Sequence, residues 1–362
     1  MTSTIALDLT ADVADLTAAL IDINSVSGNE TALANAVENA LRTLPHLDVV
    51  RDGDAIVART QLGRKERVIL AGHLDTVPLP TAAGSRGTVP SAWDGTVLYG
   101  RGATDMKGGV AVQLALAAEL TAPGRDVTYV FYDHEEVEAS LSGLGRLARN
   151  HPQLLQGDFA ILLEPTDGTV EGGCNGTARF EVGTVGQAAH SARAWMGINA
   201  IHAAAEILVR LRDHEPANVT VDGLDYRESL NAVKINGGTA GNVIPDGTTV
   251  EINYRFAPDK SPEDAELYVR NLLDGFTVVR TDAAAGARPG LNHPAAADFV
   301  AAVGAEPKPK YGWTDVARFS ELGIPAVNFG PGDALLAHTD NEHVPAEAIR
   351  ECLAALRRWL AE

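Results

Sequence analysis

Four apolar runs in this chain each end in side chains able to bind a metal. Val68-Ile69-Leu70-Ala71 runs into Gly72-His73-Leu74-Asp75, and Val127-Thr128-Tyr129-Val130-Phe131-Tyr132 runs into Asp133-His134-Glu135-Glu136. Phe159-Ala160-Ile161-Leu162-Leu163 ends in Glu164-Pro165, and Pro325-Ala326-Val327-Asn328-Phe329 leads through a Gly-Pro-Gly loop to His338. Short, continuous runs rich in β-branched residues read as strands buried on both faces of a parallel or mixed sheet. In such sheets ligands bind in the crevice beyond the carboxyl ends of the strands. A lone His-x-Asp or Glu-Glu pair is ordinarily structural or solvated. Four ligating ends on four strands predict an active site.

The alternation of helical and strand signals predicts an α/β fold. Residues 11–23 and 30–44 have helical periodicity, strands are expected near Val49, Ile56, Val68, Val127 and Ala160, and residues 106–120 form an Ala-rich helix starting directly after Asp105. Residues 74–100, rich in Pro, Gly and Thr, read as a long functional loop. After about Gly176 the order becomes strand 179–185, helix 199–212, strands 229–235 and 248–256, helix 263–273 and strand 277–279. This β-α-β-β-α-β order is that of a ferredoxin-like α+β domain. Helix and strand alternate again over 295–303, 315–322, the Ala326 strand and 346–360. The expected organisation is a discontinuous domain of residues 1–176 and 291–362, interrupted by an inserted domain of residues 177–290.

Twenty-nine basic against 48 acidic side chains give a net charge of −19, a field that repels polyphosphates and argues against nucleic-acid partners. An anionic substrate would require arginines that reverse this field locally. Two distant cysteines, Cys174 and Cys352, exclude a disulfide framework and suit a reducing cytoplasm. The acidic, amphipathic N-terminus lacks the basic start and apolar core of a signal peptide, and no segment approaches the ~18 apolar residues of a membrane span. The expectation is a cytoplasmic protein without membrane association.

His73, Asp105, Glu136, Glu164 and His338 supply two imidazoles and three carboxylates, a donor set without thiolate that suits zinc, with cobalt or manganese as substitutes. Five ligands exceed the needs of one catalytic zinc, but two ions ~3.5–4 Å apart sharing one carboxylate resolve the count. Asp105, within the Gly-rich segment from Gly100 to Gly109, fits as the shared ligand. Its alternative is to cap the following helix. Asp75 falls on the same side of an extended segment as His73, where its carboxylate can accept the imidazole's other N–H. Of the neighbours Glu135 and Glu136, one can bind metal while the other acts as general base.

With these segments together the chain resembles the di-zinc aminoacylase/carboxypeptidase family of metallopeptidases. The motifs are Gly72-His73-Leu74-Asp75-Thr76-Val77-Pro78, the Gly100–Gly109 segment, Glu135-Glu136, Glu164-Pro165-Thr166 and the late His338. The resemblance implies that His73 and Glu164 hold one zinc, Glu136 and His338 the other, that Asp105 bridges them and that Glu135 is the base. Many relatives have an acidic residue where His134 stands and Gly where Val137 stands, which alters the surroundings of the base and removes no ligand. The resemblance further implies a homodimer formed through the inserted domain, with His190 reaching the partner's active site to stabilise the oxyanion.

The local motifs around His190-Ser191-Ala192-Arg193, Gly241-Asn242-Val243, Gly312-Trp313-Thr314-Asp315 and Asn328-Phe329-Gly330 look most like family members that cleave N-succinyl-LL-diaminopimelate. Arg179 and Arg255 are the expected clamps for substrate carboxylates. Asn242, Thr314 and the Gly330 backbone are further expected contacts. Deacylation of another N-acyl amino acid such as acetylornithine, or dipeptide cleavage, is the alternative within this chemistry. A catalytically silent ligand-binding dimer is the alternative outside it, although a binder has no need of a base beside its metals.

Overall fold

The computed structural model describes residues 6–362. They divide into two compact units. The first runs up to Gly172 and resumes over Gly290–Lys308 and Arg318–Glu362; the second comprises Gly173–Pro289 and Pro309–Ala317. The last segment, left by the sequence with the first domain, groups with the second unit. There Trp313 Nε1 donates to Ala285 O at 3.0 Å and Asn175 N to Lys310 O at 3.2 Å.

The first unit is built on a mixed eight-stranded sheet. From one edge its strands are Asp48–Asp52, Ala55–Arg59, Asp126–Tyr132, Arg67–His73, Phe159–Leu162 and Ala326–Asn328, and two two-residue strands complete the other edge. The four from Asp126–Tyr132 to Ala326–Asn328 are mutually parallel. Asp126–Tyr132 is buried along its whole length, which explains its unbroken apolar sequence. The helix Lys107–Glu119 is likewise covered on nearly all sides, so small residues fill it and no polar face appears. By contrast Ala346–Ala361 buries one stripe, Ile349, Cys352, Leu353, Leu356, Trp359 and Leu360, at helical spacing. Phe299 packs edge-on against Trp359 with ring centres 4.9 Å apart.

The second unit contains a four-stranded antiparallel sheet in the order Ser229–Gly237, Gly247–Phe256, Gly176–Val185, Thr277–Ala284. With the helices Ala200–Asp213 and Pro262–Leu272 between strands in sequence, this is a ferredoxin-like arrangement. Both helices contribute to the core that covers one face, through Ala204, Ile207, Leu211, Ala265 and Val269 against Phe180, Val182, Val250 and Ile252.

Three local features differ from the sequence expectations. Residues 74–100 are pinned, because Ala92–Asp94 and Val97–Tyr99 form a small antiparallel sheet with His343–Pro345. The helix Gly143–Asn150, capped by Ser142, was not anticipated; its eight residues are too few to show a period. The hairpin Asn218–Val221/Leu224–Arg227 was also missed, although Asp222-Gly223, both at positive φ, is a readable turn signal.

Candidate metal centre

In the parallel part of the first unit's sheet His73 pairs in register with Tyr132, while Ala71 and Asn328 both pair with Leu162. The segments carrying residues 133–136, Glu164 and Gly330 therefore leave the sheet at the edge where His73 ends its strand. Asp105 comes from the turn before the buried helix. It does not cap that helix: Met106 occupies the cap position and makes no side-chain cap. His338 stands in the left-handed region at φ 63, uncommon for a residue with a side chain.

These residues meet. His73 Nε2 lies 3.1 Å from Asp105 Oδ1 and 3.9 Å from Glu164 Oε1. His338 Nε2 lies 2.9 Å from Glu136 Oε1 and 3.4 Å from Asp105 Oδ2. Potential ligand atoms of His73, Asp105 and Glu164 all fall within 4.8 Å of one another, as do those of Asp105, Glu136 and His338. The two triples share Asp105, which presents one oxygen to each imidazole. His73, Glu135 and Glu136 form a further group by the same measure.

The electrostatics of the cluster call for positive charge. His338 is pushed up to about 10 by its hydrogen bonds to Asp105 and Glu136, against a smaller effect of burial. Burial works against a charged His73, but the Asp105 hydrogen bond and the Glu164 charge outweigh it and hold the imidazole well above its ordinary value. Burial also opposes the Asp105 anion, yet the two imidazoles hold its carboxyl well below the usual carboxylate range. Protons on the two imidazoles are one source of that charge. Divalent ions bound through the same N and O donors would supply it instead, so the donor set fits a two-metal site.

Residues 69–362 match the family model for peptidase family M20/M25/M40. The chain belongs to this family. It is 42% identical to succinyl-diaminopimelate desuccinylase of Corynebacterium glutamicum, over 98% of both chains. It is 51% identical to the Mycobacterium tuberculosis protein named "Putative succinyl-diaminopimelate desuccinylase DapE", over 98% of this chain and 99% of that one. Its fold is similar to that of the M20 metallo-carboxypeptidase Sso-CP2 from Sulfolobus solfataricus, with a TM-score of 0.79 at 16% identity, covering 97% of this chain and 99% of that one. This M20 member is thus an enzyme of a metallo-hydrolase family, and no described helix is long and apolar enough to cross a membrane.

Asp75 does something other than the sequence suggests. His73 Nδ1 lies 3.0 Å from the Asp75 backbone carbonyl and 3.6 Å from its carboxylate. The carboxylate instead accepts Glu135 N at 3.0 Å, Glu136 N at 3.1 Å and Ser27 Oγ at 2.7 Å, so it holds the backbone of the paired glutamates. Gly330 also requires correction as a substrate donor. Its N–H already donates to Thr166 Oγ1 at 3.1 Å, and a Cβ there would meet the carbonyl oxygens of Leu163 and Glu164 at 2.4 Å. Its place is explained by close backbone approach.

The remaining predicted residues lie in the second unit. His190 is exposed, and its Nδ1 accepts Ala192 N at 3.1 Å, which leaves Nε2 as the N–H of the neutral ring. It pairs in register with Val243, next to Asn242, whose carbonyl accepts Ser191 N at 2.9 Å. Thr314 is buried and its carbonyl accepts Ala317 N at 3.1 Å. Arg179 and Arg255 are on adjacent strands, with Arg179 opposite Asn253 and Arg255 opposite Thr177. Arg255 donates to Asn253 Oδ1 at 3.1 Å; burial and then the Arg179 charge lower its pKa. Two cations side by side make this a place suited to an anion.

Supporting residues were invisible to sequence reasoning. Asp133 is gripped by Arg146 at 2.6 Å, and Glu30 accepts Gly28 N at 3.0 Å and His134 N at 3.3 Å. Glu342 reaches the Asp105 turn from 237 residues away. No local spacing announces contacts of this kind.

Proposed function

We infer that this M20 enzyme hydrolyses N-succinyl-LL-diaminopimelate to succinate and LL-diaminopimelate, a cytoplasmic step of diaminopimelate and lysine biosynthesis, using two zinc ions per subunit. The observation that carries the chemistry is the pair of ligand triples sharing Asp105. The substrate is supported by the names of the two relatives above and by the adjacent Arg179 and Arg255.

In this reading His73 and Glu164 would hold one ion and Glu136 and His338 the other, with Asp105 shared between the two groups. Metal ions held by these residues would supply Lewis-acid chemistry, polarising the amide carbonyl and acidifying a water. Glu135, its backbone tied to Asp75, takes the proton from the attacking water as the water oxygen adds to the carbonyl carbon. It then delivers the proton to the leaving nitrogen as the C–N bond breaks. His190 donates through Nε2 to the oxygen on which negative charge develops. Arg179 and Arg255 pair with a substrate carboxylate, Asn242 and Thr314 adding polar contacts.

The enzyme acts as a homodimer through the second unit, with His190 serving the partner's site. The Ser229–Gly237 strand supports this, since it is an edge strand exposing Val233 and Ile235. The deciding assay offers the metal-free protein, reloaded with zinc, N-succinyl-LL-diaminopimelate, acetylornithine and dipeptides. Chelator-sensitive release of succinate is expected. A preference for acetylornithine would overturn the substrate and leave the di-metal chemistry, whereas no hydrolysis of any of them would favour a binding protein.

A further inference from the structure

The turn that presents Asp105 is held by a buried carboxylate that belongs to neither ligand triple. Glu342 is 1% exposed and its partner Arg101 3% exposed. Glu342 Oε1 accepts Thr104 N at 3.1 Å and Asp105 N at 3.0 Å, and Oε2 accepts Arg101 Nη1 at 2.7 Å. Its backbone oxygen takes Gly100 N at 3.2 Å. All four partners lie in residues 100–105. Glu342 also follows His338 by four residues in the chain, so one side chain joins the segments that carry Asp105 and His338.

Stability alone is a poor explanation for this placement. A carboxylate buried near Asp105 is repelled by it, and a buried ion pair is often no more stable than apolar residues of the same shape. An apolar replacement, however, could not accept two consecutive backbone N–H groups. Those bonds fix the direction in which the Asp105 side chain leaves the turn. We propose that Glu342 is a positioning residue for the metal centre: through the N–H groups of Thr104 and Asp105 it aims the Asp105 carboxylate between His73 and His338. The proposal rests on reading Asp105 and His338 as metal ligands. Groups that orient ligands without touching the ion typically change metal affinity 10–100-fold when removed.

The test uses full-length metal-free protein and zinc titrated against a competing chelator, with Co2+ absorption as a signature of coordination and metal-free thermal melting as the stability control. Glu342→Gln keeps the shape and one acceptor; Glu342→Leu removes both. Thr104→Val is the comparison, because it deletes the Thr104 Oγ1–His343 O bond at 2.7 Å, a tie between the same two segments that does not involve Asp105 N. Glu342→Leu is expected to bind zinc about 10–100-fold more weakly and to shift the cobalt bands, whereas Glu342→Gln, whose amide oxygen can still accept the Thr104 and Asp105 N–H groups, should lose less. Thr104→Val should change melting without a comparable change in either. Wild-type affinity and spectrum in a folded Glu342→Leu variant would overturn the proposal. So would equal zinc loss in Thr104→Val, or failure of Glu342→Gln itself to fold, since stapling the chain would then suffice. Uptake of fewer than two ions by the wild type would count against the metal reading instead.

Discussion

At the scale of single residues, the proposed function gives Glu135 and Asp105 two different carboxylate jobs. Asp105 faces both imidazoles, so Asp105→Ala should lower occupancy at both sites. Glu135→Gln should retain two ions and lose about 10²–10⁴-fold in turnover, the usual effect of removing a general base. Metal analysis beside kinetics distinguishes them; loss of metal in Glu135→Gln would make it a ligand. The imidazoles make a second prediction. Because the folded pKa of His338 is raised to about 10, its contribution to the metal-free protein is fully present below an unfolded value of ~6.5. It is lost as pH rises through the folded value. Zinc takes only the neutral ring, so loading at pH 7.5 should release protons and strengthen with pH. Titration calorimetry in two buffers of different ionisation heat reads this directly: heats that do not depend on the buffer would contradict it, and His338→Ala should reduce the difference.

At the scale of elements, the centre depends on where strands stop. Parallel register brings His73, the 133–136 segment, Glu164 and Gly330 to one sheet edge, and close backbone packing then sets their depth. Gly330 is the sharpest case. Gly330→Ala would drive a Cβ into the carbonyls of Leu163 and Glu164, and overpacking of this kind costs about 1–3 kcal/mol. A fall of a few degrees in melting temperature is expected, together with weaker zinc binding, since Glu164 must move. A variant that melts lower but binds zinc normally would show that the backbone yields elsewhere. Asp75 illustrates the same dependence, its carboxylate spent on the amides of Glu135 and Glu136.

For the whole molecule, the proposed function places both charge reversal and assembly in the second unit. A chain of net charge −19 that acts on a carboxylated substrate needs a local reversal of field, a role the proposed function gives to the neighbouring Arg179 and Arg255. If His190 serves the partner subunit, inactive His190→Ala and Glu135→Gln proteins should complement each other when mixed. Each mixed dimer regains one working site of its two. Activity in verified mixed dimers is the measurement; none at all would confine His190 to its own subunit or remove it from catalysis.

The α/β alternation, the strand ends and the five potential donors that the fold brings together were legible because each depends on local pattern: unbroken apolar runs, helical period and glycine punctuation. The β-α-β-β-α-β order of the second unit was readable for the same reason. What the tertiary structure decided are the contacts between distant segments. His73 turns its Nδ1 to a carbonyl and leaves the Asp75 carboxylate to backbone amides, Gly330 is required by a neighbouring strand, and residues 309–317 group with the second unit. Glu342 belongs to the same class. A hydrogen bond across 237 residues has no period, and an acidic residue beside a ligand loop looks in sequence like any surface glutamate until the fold buries it.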